Sequence, residues 1–396
     1  MRRSNLVLAV YVPAALLAFG QGLLLTTLPL YAASFDVSYG LISFAVAAAA
    51  LGTLITDVPA GALLGRLGLR RAMLVGTSLV AVGTLSLAFV EHFPLVIVLR
   101  VAAGVGTAMW GLSRHAFIAT AVPIESRGRA ISVFGGINRI GIFGGPVAGG
   151  LIATAFGLRA SFVASGVMAV LALAMAFWLV RPAALSVGGG RQRWRLVGEV
   201  LRTNGRDLAA AGVAQTLGQM IRAGRHFIIP IYGIERLDLD AAQIGLIMTS
   251  AAVLDMSMFI PAGFLMDRYG RKVAAVPSFA VMAIGVAMIP MASSYGGLLL
   301  AATVIGFGNG LGSGTMMTLG ADLAPRGATG EFLGLWRLIG DGGAFLGPVT
   351  VGLIAGSMGL SGSAVVLSCI GFLAAGTIAS LVRETRQVVS EPVPQR

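Results

Sequence analysis

The sequence is poor in cysteine, histidine and charge. Among its 396 residues there are one cysteine and three histidines, and only 11% of the residues are charged. The single cysteine, Cys369, excludes an internal disulfide framework and a metal site built from several cysteines. Soluble domains carry charge on about a quarter of their residues, so water is not the only solvent of this chain. The sequence contains no Gly-x-x-x-x-Gly-Lys-Ser/Thr segment, which argues against ATP as an energy source.

Apolar residues are abundant and arranged in long runs. They make up 57% of the chain, and the mean hydropathy is +0.89. A membrane-spanning helix needs about 20 predominantly apolar residues. Apolar stretches of about that length run over residues 6–33, 41–65, 72–90, 94–120, 129–156, 160–180, 207–233, 241–265, 273–293, 296–321, 330–357 and 362–382. This pattern predicts an all-α membrane protein with twelve transmembrane helices, the first of which continues too far to be a signal peptide.

The longest break between apolar runs, residues 181–206, divides the predicted spans six and six. It contains three consecutive glycines, 188–190, followed by the basic run 191–195. This composition predicts a flexible linker and then an amphipathic helix on the membrane surface. We therefore expect an N-terminal six-helix bundle (1–180), a cytoplasmic linker, and a C-terminal six-helix bundle with a short cytoplasmic tail (207–396).

The net charge of +12 comes from arginines clustered between the apolar runs. This arrangement is typical of anchors at a membrane surface and not of a nucleic-acid interface. With a cytoplasmic N-terminus, 20 of the 28 lysine and arginine residues fall on cytoplasmic segments and two on outside segments. The bias predicts a multi-pass protein of the plasma (inner) membrane with both termini in the cytoplasm. We expect a monomer whose partners are the lipid bilayer, a small-molecule substrate and protons.

The two halves of the chain repeat one another. Residues 141–150 read Gly-Ile-Phe-Gly-Gly-Pro-Val-Ala-Gly-Gly, and residues 343–352 read Gly-Ala-Phe-Leu-Gly-Pro-Val-Thr-Val-Gly, at an offset of 202. The same offset relates Pro59 to Pro261 and other glycines and prolines in several spans. This register predicts two homologous six-helix halves in parallel orientation. The small residues and prolines of the two motifs suit helices that pack closely and rock; they are Gly141, Gly145, Pro146, Gly149, Gly150, Gly343, Gly347, Pro348 and Gly352.

Three motifs resemble those of the major facilitator superfamily. Residues 263–272 read Gly-Phe-Leu-Met-Asp-Arg-Tyr-Gly-Arg-Lys, similar to the loop between helices 2 and 3 in that family. Residues 100–106 are similar to its helix-4 motif, with Ala103 where the family has glutamine. Residues 141–150 resemble the motif of the twelve-helix drug:proton antiporters. The resemblance implies two pseudo-symmetric bundles, transport by alternating access, and no enzymatic activity.

The resemblance also implies a cytoplasmic gate. In the second half Asp267 would meet the start of helix 5, near residues 128–130, with Arg268 and Arg271 beside it. In the first half Gly65 stands where the aspartate belongs, and Arg66 follows it. We therefore expect an asymmetric gate that favours the inward-open state.

Nine charged residues lie well inside the predicted spans, where a charge is costly and indicates function. They are Asp57, Arg100, Arg114, Arg139, Arg222, Arg225, Asp255, Arg337 and Asp341. Spans 3, 6, 9 and 12 contain none, and the resemblance implies that these four face lipid. Proton coupling needs a carboxylate that is protonated when desolvated and charged when hydrated. Asp255 and Asp341 suit this role best and Asp57 third, although each could instead form a permanent ion pair.

The partners of these carboxylates are predicted from the repeat and from the resemblance. Helices 2 and 11 approach one another across the halves of this fold, as do helices 5 and 8. The expected contacts are Arg139–Asp255 and Asp57–Arg337 or Asp57–Asp341, and the charge partners are Arg139, Arg337, Arg222 and Arg100. The candidate substrate-cavity residues are Gln21, Gln215, Gln219, Arg222, Asn309, Trp110 and Trp336. His115 and His226, each beside an arginine, are predicted to pack as polar residues.

These patterns predict a secondary transporter that exports a small amphipathic or hydrophobic compound by proton antiport. Six intramembrane arginines against three aspartates leave open a second interpretation, a carrier of an organic anion or a lipid-like substrate. A third is a membrane sensor or scaffold that transports nothing. We expect no cofactor and no metal, and no serine–histidine or paired-carboxylate arrangement indicates an intramembrane enzyme.

Overall fold

The fold is given by a computed structural model, which describes residues 10–121, 124–180, 190–203, 205–325 and 327–385. Within these ranges the structure does not describe some helical side chains, namely those of residues 58–66, 115, 116, 118–134, 138, 190–194 and 203. The regular elements in the described ranges are helices.

Six helices form the first half. They are α1 (Val12–Ala33), α2 (Tyr39–Leu67), α3 (Leu69–Ser86), α4 (Phe93–Ala121), α5 (Ile124–Phe156) and α6 (Leu158–Leu179). Single glycines separate α2 from α3 and α5 from α6. Gly68 has φ 74° and Gly157 has φ 86°. A residue with a Cβ atom is strained at these dihedral angles, so glycine permits the abrupt reversal.

The second half follows a linker helix, Gly190–Thr203, and contains six more. They are α7 (Gly205–Leu237), α8 (Ala241–Tyr269), α9 (Arg271–Met288), α10 (Tyr295–Leu323), and the 52-residue segment Thr329–Ser380. Gly359, at φ 73°, breaks this last segment into α11 (329–358) and α12 (360–380). Met258 interrupts α8, and Gly314 begins the second part of α10.

The helices account for the twelve predicted spans. In the described ranges, ten helical segments are long and apolar enough to cross a membrane, and Thr329–Ser380 supplies two spans. The remaining helix, α7, is 33 residues long and carries Arg222 and Arg225 in its interior. The predicted fold class, an all-α membrane protein of twelve helices, is therefore confirmed.

Unusual backbone angles recur at the repeat offset of 202. Gly68 and Gly270 both begin a helix at positive φ, and Gly157 and Gly359 form a second such pair. Asp36 and Asp238, at φ 52° and 50°, form a third pair, although an aspartate seldom adopts this angle. The two halves therefore share details of chain path that helix length alone does not require.

Side-chain contacts repeat in the same way. The Tyr31 hydroxyl donates to the carbonyl oxygens of Leu87 and Val90, each 3.0 Å away. In the second half the Tyr232 hydroxyl donates to Pro290 and Ala292, each 3.3 Å away. Each tyrosine ties the end of the first helix of its half to the end of the third. These bonds satisfy carbonyl groups that a helix end leaves free.

Among the described residues, the two halves touch mainly at one end of the bundle. We call this the far end, and we call the opposite end, which carries the linker helix, the linker end. A Cβ atom on Gly150 of α5 would meet the carbonyl oxygen of Ala241 on α8. A Cβ atom on Gly352 of α11 would lie 2.5 Å from the carbonyl oxygen of Tyr39 on α2. Residues 150 and 352, like 39 and 241, are repeat equivalents, so one contact is made twice.

The other motif glycines pack within their own half. Cβ atoms on Gly141 and Gly149 would press against α1, the first 2.7 Å from the Cβ atom of Ala18. Gly343 and Gly347 stand against α7 in the equivalent way. Each motif therefore fastens a helix to its own half and then presents its last glycine to the opposite half.

Candidate functional site

A cavity of about 390 Å³, the first cavity, lies between α1, α2 and α4 and is completed by α7 and α11. Most of its lining is aliphatic. Its polar and charged residues are Gln21, Thr53, Thr84, Arg100, Thr107, Ser165, His226, Arg337 and Asp341. The first half thus forms most of the wall, and the second half contributes three of these nine side chains.

One arginine joins two carboxylates at the boundary between the halves. Nε of Arg337 is 3.5 Å from Oδ2 of Asp57 and 3.4 Å from Oδ2 of Asp341. Arg337 and Asp341 lie one turn apart on α11, whereas Asp57 comes from α2. We call these three residues the charge triad; with both carboxylates ionised it carries one excess negative charge.

Two further polar residues of the first cavity lack partners among the described residues. Nε of Arg100 is buried and makes no hydrogen bond, and no described carboxylate lies within 4.0 Å of the side chain. Nδ1 of His226 is also buried without a hydrogen bond. The sequence predicted a packing role for His226, but the side chain lines the cavity.

A second cavity of about 340 Å³ lies between α5, α7, α8 and α10. Its polar and charged lining residues are Arg139, Arg222, Asp255, Asn309 and Ser313. The Asn309 amide donates to Oδ2 of Asp255 at 2.7 Å, and Arg139 donates to the Ser313 hydroxyl at 3.0 Å. The Arg139 guanidinium also lies 3.7 Å from the centre of the Phe259 ring, which stabilises its charge.

The repeat relates the two cavities. Thr53 and Thr107 of the first cavity correspond to Asp255 and Asn309 of the second, and Gln21 corresponds to Arg222. Each cavity also receives a charged residue from the motif helix of the opposite half. Asp341 enters the first cavity, and its repeat equivalent Arg139 enters the second. Neither threonine was among the predicted cavity residues, although the repeat offset of 202 from Asp255 and Asn309 points to both.

The predicted charge contacts form only in part. Asp57 and Arg337 are brought together, with Asp341 beside them. Arg139 and Asp255 line one cavity but do not come within 4.0 Å as an ion pair. The reason is local, because the Arg139 side chain is directed to Ser313 and Phe259, while Asp255 binds Asn309.

Three predicted cavity residues lie elsewhere. Gln215 and Gln219 face Gly340 and Gly343 where α7 packs against α11, and neither lines the two cavities. Trp336 is buried in the core and donates to the Met316 carbonyl oxygen at 2.9 Å. Gly340 on α11 leaves space for the two glutamines and Gly320 on α10 leaves space for the Trp336 ring, so packing places these side chains away from the two cavities.

Trp110 occupies an intermediate position. It is 4% exposed, packs in a core cluster of the first half, and also lines a space of about 250 Å³. Gln21, Thr107 and Arg337 border both this space and the first cavity. Trp110 therefore lies at the margin of the first cavity, on the side of the linker end.

The predicted gate residues lie at the linker end. Asp267 and Arg268 are exposed, and Arg268 lies beside the rings of Phe264 and Tyr269. Arg271 instead binds within its own half, through an ion pair of 2.9 Å with Asp322. The description does not extend to the surroundings of Gly65 or to the side chains of Arg66, His115 and residues 128–130, so the predicted gate contact between Asp267 and the start of helix 5 lies outside it.

Twelve helices in two repeat-related sets, with polar cavities at their boundary, define a membrane transporter and not an enzyme. The chain belongs to the Major Facilitator Superfamily, whose family profile matches residues 12–220 and again residues 208–396. It is therefore a multi-pass membrane protein and a secondary transporter of a small molecule, as the motifs predicted.

Individual relatives are distant. An uncharacterized MFS-type transporter of Methanocaldococcus jannaschii is 20% identical over 358 residues, which are 90% of this chain and 92% of that protein. The class C tetracycline resistance protein of Escherichia coli is 28% identical over 313 residues, 74% of this chain and 75% of that protein. The crystal structure of the nucleoside transporter NupG superposes with a TM-score of 0.79 at 13% identity, over 96% of this chain and all of that one. This last likeness shows the shared fold alone.

Proposed function

We propose that this chain is a proton-coupled antiporter of the plasma (inner) membrane, which exports small amphipathic or hydrophobic compounds by alternating access. Its similarity to a tetracycline resistance protein supports export, as does the motif at residues 141–150. The mostly aliphatic lining of the first cavity suits a substrate with a large apolar body.

The observation that carries this proposal is the charge triad. One guanidinium and two carboxylates within 3.5 Å carry one excess negative charge, and a single bound proton removes it. When the halves rock, Asp57 moves with α2, whereas Arg337 and Asp341 stay together on α11. The remaining pair is neutral without a proton. Proton binding is thereby linked to the distance between the halves.

The moving bodies are residues 1–180 and 207–396, joined by the segment between them. The described contacts between the halves lie mainly at the far end, where the Tyr39 hydroxyl also donates to Glu235 of α7. We assign the linker end to the cytoplasm because the lysines and arginines concentrate there. In this arrangement the substrate enters from the cytoplasm and leaves after the far-end contacts break.

The test is proton flux in proteoliposomes with an imposed pH gradient and an internal pH-sensitive dye. A panel of cationic, neutral and anionic amphipathic compounds is added in turn. We expect some of them to stimulate proton flux through the wild type, and expect Asp341→Asn and Asp57→Asn to abolish the stimulated flux. Asp238→Asn, which removes the same charge from an exposed far-end loop, serves as the control. Flux stimulated by no compound would defeat the antiport proposal.

A second candidate function, transport of an organic anion, is favoured by one observation. Arg100, Arg139 and Arg222 each line a cavity, and no described carboxylate lies within 4.0 Å of any of them. Arg337, in contrast, is compensated within the charge triad. The same panel discriminates, because an anion carrier responds to the anionic compounds and not to the cationic ones.

A further inference from the structure

The second cavity contains unused hydrogen-bonding groups of both kinds. Nε of Arg222 is a buried donor without a partner. Oδ1 of Asp255 and Oδ1 of Asn309 are buried acceptors without a partner. Buried polar groups are nearly always hydrogen-bonded, so these three atoms require an explanation. Protein groups alone do not complete this site.

Charges of both signs line the same space. Arg139, Arg222 and Asp255 all line the wall, and no described ion pair joins the carboxylate to either arginine. A purely anionic ligand would meet an uncompensated carboxylate, and a purely cationic ligand would meet two guanidiniums. A ligand that carries both charges can pair with the guanidiniums and with the carboxylate.

Two of these charges, Arg222 and Asp255, are specific to the second cavity, whereas the equivalent of Arg139 is the charged Asp341. At the positions equivalent to Arg222, Asp255 and Asn309 the first cavity has Gln21, Thr53 and Thr107, which are all neutral. Both halves therefore contain an equivalent cavity, but only the second cavity has charged residues at these positions. Structural needs common to both halves do not account for three residues that differ together in one half.

We propose that the second cavity binds the charged end of a small zwitterion. The acidic group lies against Arg139 and Arg222, and the ammonium group lies against Asp255 and Asn309. The apolar body packs on Ile142, Phe143 and Met256, which line the same cavity. A volume of about 340 Å³ is within the range of small-molecule sites. This assignment rests on the proposed function only in placing the second cavity on the substrate pathway.

Three probes with one scaffold test the charge requirement. L-phenylalanine is the zwitterion, 3-phenylpropanoate lacks the ammonium group, and phenethylamine lacks the acid. Their affinities for the purified, detergent-solubilised full chain are measured by calorimetry at neutral pH. Because each lost charge-assisted contact weakens binding about tenfold or more, we expect L-phenylalanine to bind at least about tenfold tighter than either analogue.

Two variants then test which residue binds each charged group of the ligand. Asp255→Asn should weaken the binding of L-phenylalanine but leave the affinity for 3-phenylpropanoate unchanged or higher. Arg222→Gln should weaken the binding of L-phenylalanine but leave the affinity for phenethylamine unchanged or higher. A variant that merely unfolds loses all three ligands, so the opposite responses separate the two causes. Asp238→Asn and Arg195→Gln remove the same charges from exposed positions and should keep the wild-type order.

Three results would overturn the assignment: equal affinities for the three probes, no measurable binding of any to the wild type, or an equal loss of all three in both variants. The assay uses no pH gradient, so its outcome is independent of proton coupling. Zwitterion preference without proton flux in proteoliposomes would defeat the antiport proposal alone. Proton flux without the preference would defeat this assignment alone.

Discussion

Replacing Gly150 by alanine should shift the protein toward states in which the far end is open. A Cβ atom at this position would meet the carbonyl oxygen of Ala241 and lie 3.0 Å from the Ala241 carbonyl carbon and the Ala242 Cα atom. These are backbone atoms of the opposite half, so no side-chain rotation relieves the overlap. When the halves separate at this end, the added methyl group has space. The substitution therefore penalises only the closed far end.

The expected size follows from this overlap. Overpacking a close contact costs about 1–3 kcal/mol. Since the cost falls on one conformation, the ratio of open to closed far ends should rise by roughly 5- to 150-fold. The control is Gly145→Ala on the same helix. Its Cβ atom would press on Gly22 and lie 2.8 Å from the Leu23 nitrogen, both within the first half, so it strains both states alike.

Pulsed electron paramagnetic resonance measures the ratio directly. The exposed Cys369 is first replaced by serine, and spin labels are attached at Ser38→Cys and Arg236→Cys, exposed far-end positions on opposite halves. We expect Gly150→Ala to enrich the long-distance population, and Gly145→Ala to lower the melting temperature without changing the distances. Unchanged distances in Gly150→Ala, or the same change in both variants, would refute the reasoning.

Three further predictions concern single contacts. Tyr39→Phe removes the hydrogen bond to Glu235 between the halves. The same distance measurement should show a smaller shift of the equilibrium toward the open far end, equal to a free-energy change of about 0.5–1.5 kcal/mol; no change would mean that this bond does not hold the far end closed. Gly359→Ala places a Cβ atom at φ 73° and should cost about 1–2 kcal/mol, seen as a lower melting temperature in detergent; an unchanged value would contradict the strain. Arg271→Gln breaks the partly exposed pair with Asp322 within one half, so it should cost about 1 kcal/mol of stability and leave the far-end distances unaltered; altered distances would assign this pair to the gate.

The repeat shows how far the sequence reaches. An offset of 202 residues predicted two equivalent halves, and the structure repeats even the positive φ angles of Asp36 and Asp238 at that offset. Apolar length predicted twelve spans, because the bilayer thickness dictates the length of a spanning helix wherever it packs. Both properties are readable along the chain, since they depend on local composition and on period.

The direction of a side chain on a polar helix was harder to predict. Gln215 and Gln219 follow one face of α7, as Arg222 does nearby, yet the first two pack against α11 and only Arg222 lines a cavity. A helix can contact several neighbours around its axis, and the sequence does not state which neighbour each face meets. For the same reason Trp336, which a transporter could use for substrate, is a core residue.

The motif glycines also show which properties the sequence predicts and which only the tertiary structure decides. By itself the sequence determined the fold, the two halves and the set of charged residues that the membrane makes costly. Only the tertiary structure decided that Gly150 faces the opposite half while Gly141 faces its own, and that Asp341 is compensated by Arg337 while Arg139 is not paired with Asp255. The physical reason is distance: a contact of a few ångströms between helices far apart in the chain depends on how whole helices pack, and no local pattern records it.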